Sequence, residues 1–522
     1  MSDQGLPDQG QADQGLWDLV EARAAAAPDV PIAVDEDGRT LTGAGFRAAA
    51  ERAAAGLHAL GVGPDVAVSW MLPTWLESAV LVAALARLGA VQNPMLPILG
   101  PREMRFITEQ TGAKLLVVPS EWRGREFEAE ARAIAEDLEW LEVLVVDREL
   151  PDGDPATLPP APAPATAADA PVRWIFYTSG TTADPKGARH TDLTVKASAV
   201  GMIEALEITD DDRAAMVFPF THIGGIGWLY TMLMTGCVCV FVEAFVPQTT
   251  IPVLQREKIT LAGAGTPFHM AYLNAQRQQP DTPLFPEVRA YPGGGAPKPP
   301  QLHYEVREEL GGVGIVSGYG LTEAPILTMN SVRDTDVQLA ETEGFPTPGV
   351  ELRFVKLDGE VAAAGEEGEI RAKGRQVCLG YLDALLDAGA FDEDGWFKTG
   401  DIGVMDPSDR HVRITGRVKD IIIRHGENIS AKEVEDLLFT HPKIADAAVI
   451  GLPDPKTGER ACAVIVATNA EELPTLPELF EFLTDEGLAK QKVPEQLEIV
   501  EALPRNASGK VLKHELRATY SD

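Results

Sequence analysis

The stretch Tyr177-Thr178-Ser179-Gly180-Thr181-Thr182-Ala183-Asp184-Pro185-Lys186-Gly187 decides how this chain is read. Just before it, Trp174-Ile175-Phe176 has the apolar character of the end of a buried strand. Hydroxyls at Thr178, Ser179, Thr181 and Thr182 then crowd around Gly180, and Lys186 follows. Such a loop offers backbone N–H groups, short hydroxyl donors and one cation to a polyphosphate. It differs from the Walker-type loop, whose Lys is followed by Ser or Thr and opens a helix. Taken alone, a Ser/Thr/Gly cluster also suits a solvated turn, so the rest of the chain has to decide.

Outward from the loop, apolar runs alternate with helical patterns. Residues 46–60 carry helix-forming Ala, Arg and Glu and end at Gly61. Residues 66–71 read as a strand, 74–88 as a helix and 114–118 as a strand, an alternation expected of a parallel, helix-covered sheet. A Pro- and Ala-rich stretch, 151–171, reads as an extended linker into the loop's strand. Beyond the loop, 214–218, 238–243, 261–264 and 313–316 read as further strands. From 349 to 371 short alternating runs predict a small β unit, and after Arg417 a compact α+β segment begins. There, 431–438 and 476–490 read as helices, and 445–452 and 461–467 as strands. The first fifteen residues repeat Asp-Gln-Gly at Asp3, Asp8 and Asp13 and predict a disordered tail. The fold class is therefore α/β: a tail over 1–15, a large N-terminal domain over 16–417, and a smaller α+β C-terminal domain over 421–522.

Composition narrows the function. A chain of 522 residues splits into more than one folding unit, and 45% hydrophobic with 24% charged residues is ordinary for a globular protein. The net charge of −34 argues against nucleic acid or an anionic membrane as partner. Cys237, Cys239, Cys378 and Cys462 fit no disulfide frame or zinc spacing, which points to a reducing cytosol. The N-terminus is acidic and lacks the apolar core of a signal peptide. The longest apolar run, 79–86, stops at Arg87 and is too short to span a bilayer.

Further motifs follow in order. Phe218-Pro219-Phe220-Thr221-His222 precedes a Gly-rich break, and Tyr291-Pro292-Gly293-Gly294-Gly295-Ala296-Pro297 strings small residues that let backbone approach a flat ligand. In Ser317-Gly318-Tyr319-Gly320-Leu321-Thr322-Glu323 an aromatic ring can stack on adenine, and Thr322 with Glu323 can hold phosphate and Mg²⁺. Asp401 closes Gly395-Trp396-Phe397-Lys398-Thr399-Gly400-Asp401, which alone could be a charged turn. Gly416-Arg417-Val418-Lys419-Asp420 and, near the end, Pro504-Arg505-Asn506-Ala507-Ser508-Gly509-Lys510 complete the set.

The loop at 177–187 closely resembles the phosphate loop of the acyl-adenylate-forming enzymes, the superfamily of acyl-CoA synthetases, luciferases and peptide-synthetase adenylation domains. The later motifs resemble that family in family order as far as Lys510. The resemblance implies that Thr178, Ser179, Gly180, Thr181, Thr182, Lys186, Ser317, Gly318, Tyr319, Gly320 and Thr322 bind the nucleotide of ATP. It implies that Gly295, Ala296 and Pro297 form a wall between adenine and the acyl group, with residues 262–267 as a second wall. His222 would border the acyl carboxylate, Glu323 would hold Mg²⁺, Asp401 the ribose, and Lys510 the charge developing on the α-phosphate. Arg417 would precede a hinge over 418–420 with Lys419 as pivot, and His425 and Gly426 would lie along the tunnel for CoA.

In two places the sequence departs from the family pattern. Ala183 stands where glycine is usual, so a positive φ there would be strained, and Arg424-His425 stands where Ser-Gly or similar is common. Phe220-Thr221 lacks the Asp that would pair a substrate ammonium, which disfavours amino acids. Residues 88–98 look like those of bacterial medium-chain and alicyclic acyl-CoA ligases. The expectation is an ATP- and Mg²⁺-dependent carboxylate–CoA ligase of the cytoplasm, acting through acyl-AMP and compatible with a homo-oligomer. Delivery to a carrier protein, a luciferase-type oxygenase and a non-enzymatic scaffold of the same fold are the alternatives.

Overall fold

The computed structural model describes residues 14–178, 185–296, 298–424, 427–505 and 510–521. A six-stranded sheet runs in the order Glu142–Val145, Leu115–Val118, Ala67–Trp70, Val91–Pro94, Trp174–Tyr177, Gly187–His190. All of its pairings are parallel except the last, where the strand after the phosphate loop folds back antiparallel. A second sheet, Thr40–Thr42, Pro31–Asp35, Val238–Phe241, Arg213–Met216, is parallel apart from its first hairpin. It continues through Leu261, bridged to Ala214 and Ala290, towards Tyr291–Gly294, Ile315–Tyr319, Thr328–Met329 and Phe345–Pro346. Residues 261–264, read above as a strand, thus contribute only the two bridges of Leu261, because Gly263 and Gly265 leave its face of the pleat without further side chains.

One core unites the two sheets. Helix Leu76–Leu88 buries every residue but Glu77 and Arg87, and helix Ile223–Thr235 is nearly as enclosed. Both belong to a cluster that holds Trp70, Trp174 and Phe176 from one sheet and Ile32, Met216 and Phe241 from the other. Such helices are apolar all round because they face protein on every side. Their ends are set locally. Helix Leu76–Leu88 stops at Gly89 in the left-handed conformation (φ 68°), and helix Asp192–Leu206 begins with a capping box of Thr191 and Thr194.

Strands Glu351–Val355, Gly368–Lys373, Phe397–Met405 and Val412–Arg417 form the expected small β unit as an antiparallel meander. After the short 3₁₀ turn Val418–Asp420, a five-stranded sheet and its helices enclose a separate core around Ile422, Val434, Val449, Ile465 and Leu479. Helix Ala431–Leu438 has the expected bounds. The helix expected over 476–490 ends at Asp485, because Gly487 turns left-handed (φ 90°) and ends the run. All four cysteines are buried and unpaired. Among the described residues no helix is long and apolar enough to cross a membrane. Order is described from Gln14, with the first helix at Leu16–Ala26, so the tail expected over 1–15 lies almost wholly outside the described residues.

Candidate active site

The base of the phosphate loop is closed by pairing. Tyr177 faces Gly187 across the hairpin, and the Thr178 N–H donates to the Lys186 carbonyl at 3.0 Å. A Cβ at Gly187 would lie 2.9 Å from the Tyr177 ring, so a side chain there would push the hairpin open. Ser179, Gly180, Thr181, Thr182 and Ala183 lie outside the described residues. The returning strand is seated on the segment 379–382: Arg189 N–H donates to Gly380 and Leu382 N–H to Gly187. That contact delivers Tyr381. The Lys186 ammonium stands 5.5 Å from its ring centroid, and its hydroxyl donates to Glu323 Oε1 at 2.6 Å. Burial and the Glu323 carboxylate push the Tyr381 hydroxyl far above its ordinary value, so it remains a donor. The carbonyl of Glu323 accepts from Cys378 N–H at 2.7 Å. On the other flank, the carbonyl of Thr322 accepts from Nε2 of His190, a fully buried imidazole that burial pushes down to about 4.

The expected nucleotide side is built from the second sheet and the β meander. Gly294 and Gly318 are register partners, and a Cβ at Gly294 would lie 2.7 Å from the Gly318 carbonyl oxygen. Gly295 turns left-handed (φ 77°) with open space where a side chain would stand, and Ala296 follows it. Pro297 lies outside the described residues. Gly320 cannot carry a side chain, since a Cβ would lie 2.3 Å from Ile326 N. Ser317 is buried beside Glu343.

The Tyr319 hydroxyl donates to Asp401 Oδ2 at 2.8 Å and Arg417 Nε donates to Asp401 Oδ1. Each carboxylate oxygen keeps a second acceptor position, so a fixed Asp401 can still accept from a ribose. The amine of Lys510, one segment from the C-terminus, stands among Arg417, Asp401, Lys419 and Asp420. Burial, then the Arg417 charge, push it down to about 8.

His222 caps the helix Ile223–Thr235: its Nδ1 accepts from Gly224 N–H at 3.1 Å. Burial pushes the imidazole down to about 4, so it is neutral at pH 7. With Nδ1 accepting, the proton sits on Nε2, which is left as a donor. The segment before it is held firmly. Thr74 Oγ1 donates to Phe218 O and accepts from Phe220 N–H, while the Phe220 ring packs on Trp70 and Phe241. His222 lines a cleft with Thr221, Ile223, Tyr177, Thr322 and the chain around Met95 and Leu96.

Two clusters thus meet at Thr322-Glu323: an apolar cleft ending in a neutral histidine, and a charged wall of Lys186, Tyr381 and Glu323. A third, Tyr319-Asp401-Arg417 with Lys510, stands at the end of the β meander. Lys419 lies in the 3₁₀ turn Val418–Asp420, whose Asp420 accepts from Arg517 at 2.8 Å. His425 and Gly426 lie outside the described residues. Among those described, no three His, Cys, Asp or Glu side chains gather into a metal cage. A Mg²⁺ shared between one carboxylate, phosphate oxygens and water needs none, and Glu323 suits that part. Tyr381 was not foreseen from sequence; its role depends on a pairing 58 residues away.

The chain matches the family profile of the AMP-binding enzymes over residues 20–382 and that of the AMP-binding enzyme C-terminal domain over 433–510. It is similar to the medium-chain fatty-acid–CoA ligase of Escherichia coli (strain K12), 31% identical over 520 residues that cover 97% of this chain and 91% of that one. It is 31% identical over 483 residues to the salicyl-AMP ligase / salicyl-S-ArCP synthetase of Mycobacterium tuberculosis, covering 89% and 82% of the two chains. Among solved structures, it resembles an o-succinylbenzoate–CoA synthetase from Bacillus subtilis in complex with its acyl-adenylate intermediate. The TM-score is 0.83 at 28% identity, covering 97% of this chain and 98% of that one.

Proposed function

Since the chain belongs to the AMP-binding enzyme family and is an AMP-forming acid–thiol ligase, we propose that it activates an apolar acid, a medium-chain fatty or alicyclic carboxylate, through acyl-AMP. In the first step a carboxylate oxygen attacks the α-phosphorus of ATP and the bond to pyrophosphate breaks. In the second the CoA thiolate attacks the acyl carbonyl and AMP leaves. The observation that carries this reading is the meeting of an apolar cleft, closed by neutral His222, with the charged wall of Lys186 and Glu323. A neutral imidazole with Nε2–H outward can donate to a carboxylate oxygen without trapping it as a salt bridge. Mg²⁺, when bound at Glu323, would neutralise phosphate charge. Tyr381 orients that carboxylate, Asp401 would receive the ribose, and Lys510 would face the α-phosphate, where a fixed cation stabilises developing charge.

The domain reading is proposed with it: an N-terminal unit to Arg417, a pivot over 418–420 and a C-terminal unit beyond. Lys510 beside Asp401 suits the first half-reaction, and CoA would require it to withdraw. Four buried, unpaired cysteines agree with work in a reducing cytosol.

The test is pyrophosphate release from octanoate, cyclohexanecarboxylate, benzoate, acetate and amino acids, with and without CoA. Octanoate or cyclohexanecarboxylate should exceed acetate and every amino acid by at least about tenfold in kcat/KM, with the acyl-CoA as product. Preferred activation of an amino acid would overturn the reading of the cleft. A second reading, transfer to a carrier protein, draws on the salicyl-S-ArCP synthetase among the relatives; acyl-AMP formation without any thioester on CoA would favour it.

A further inference from the structure

Helix Ala431–Leu438 carries contacts that the ligase chemistry does not use, and they cross from one unit to the other. Its N-cap, Ser430, pairs with Ile421, the first residue beyond the turn Val418–Asp420, so it travels with the C-terminal unit. The Ser430 hydroxyl nevertheless donates to the carbonyl of Thr415, in strand Val412–Arg417 of the N-terminal unit. The approach leaves no room for a side chain: a Cβ at Gly416 would lie 2.9 Å from Ser430 Oγ. The same oxygen accepts from Glu433 N–H at 3.4 Å, so turning it aside would break two bonds. Two residues on, Lys432 bonds Asp436 at 2.7 Å along the helix, and both charges act on Glu343 of the N-terminal unit. The helix also leads to Lys510. Glu435 holds the Lys513 amine at 2.7 Å, and Lys513 stands just past Lys510 in the chain.

Resting on the proposed rotation about 418–420 and on the place of Lys510 at the α-phosphate, we infer that Ser430 is a positioning residue for acyl-AMP formation. With the clearance at Gly416, it docks the C-terminal unit in the arrangement that sets Lys510 beside Asp401. Thr415 and Gly416 precede the pivot and Ser430 follows it, so rotation parts them and takes Lys432 and Asp436 away from Glu343. A contact made in one arrangement only shifts the balance by the whole of its differential strength. One neutral hydrogen bond shifts such a balance about two- to tenfold. A dock of that size favours the first half-reaction and can still be left on every turnover.

The experiment measures pyrophosphate exchange, and thioester formation from supplied acyl-AMP, in the wild type, Gly416→Ala, Ser430→Ala and the double variant. Each single substitution should slow exchange by about three- to tenfold and leave the thioester step at the wild-type rate or faster. The double variant should be no slower than the slower single one. With Oγ gone, the added methyl meets only the Cβ of residue 430, at 3.7 Å. Independent injuries would multiply instead. Ser430→Asp keeps a helix cap but has no hydrogen to give Thr415, and should stay as slow as Ser430→Ala. Recovery in Ser430→Asp, multiplying losses, equal losses in both half-reactions, or wild-type exchange in both single variants overturns the dock and leaves the ligase reading standing. A wild type that exchanges pyrophosphate with no carboxylic acid overturns the ligase reading itself. Should Gly416→Ala fold poorly, Ser430→Ala against Ser430→Asp still decides.

Discussion

Removing the Lys510 amine should disable one half of the reaction and spare the other. Its fall from 10.5 to about 8 follows from burial beside Arg417. At about 1.4 kcal/mol per pH unit, the charged amine is held at a cost of roughly 3 kcal/mol, because burial and the Arg417 charge outweigh the nearby carboxylates of Asp401 and Asp420. A triphosphate returns that cost on binding and more in the transition state, as the α-phosphate gathers charge. Lys510→Ala should therefore slow acyl-AMP formation by about two to four decades, while supplied acyl-AMP still reacts with CoA at close to the wild-type rate.

The sign of the pH effect follows from the same value. Below about 8 the amine carries its charge and kcat/KM for ATP should be level; above it the charge is lost and kcat/KM should fall about tenfold per pH unit. Lys510→Arg should move that limb beyond the accessible range, because a guanidinium stays protonated. Pyrophosphate exchange measures the first half-reaction and acyl-CoA formation from acyl-AMP the second. Equal losses in both, or a level profile to pH 9.5 in the wild type, would refute the assignment.

Tyr381→Phe removes the donor that orients Glu323, and should raise the Mg²⁺ concentration for half-maximal activity by about 10- to 100-fold without altering thioester formation from acyl-AMP; an unchanged Mg²⁺ titration would count against it. Lys419→Pro, in the turn Val418–Asp420, should leave acyl-AMP formation nearly intact and slow the thioester step by at least about tenfold, since proline locks φ; wild-type rates in both would place the pivot elsewhere. His190, His222 and His269 are each pushed down to about 4 by burial. Folded values below the unfolded one mean stability that is complete above about 6.5 and lost as pH falls towards 4. The urea midpoint should accordingly drop between pH 7 and pH 5, and a midpoint level across that range would contradict the neutral imidazoles.

Much of the fold is legible because its elements announce themselves locally. Helix Ala431–Leu438 follows a Ser430 cap, and the alternating burial of Gly368–Lys373 is written as alternating residue types. Helix Ile223–Thr235 was not legible, because Gly224, Gly225 and Gly227 lower helix propensity. Packing decides there: a Cβ at Gly225 would lie 2.5 Å from the Phe220 carbonyl, and Gly227 lets the helix close on Met202. The site divides in the same way. Asp401, Arg417 and Lys510 stand in recognisable motifs, and the structure brings them together. Tyr381 carries no local mark; what singles it out is a partner gained through the tertiary fold.

Asp401 and Arg417 face each other in register, and the turn Val418–Asp420 continues directly from Arg417. The carboxylate offered to the ribose and the proposed pivot therefore share one strand end. Under the proposed rotation, a bound nucleotide becomes an effector of domain position. Whatever factor by which AMP favours the arrangement with Lys510 beside Asp401, that arrangement must tighten AMP by the same factor. Letting go of the product and turning the C-terminal unit are then two views of one equilibrium. Accumulated AMP would slow thioester formation by holding back the rotation as well as by occupying the site.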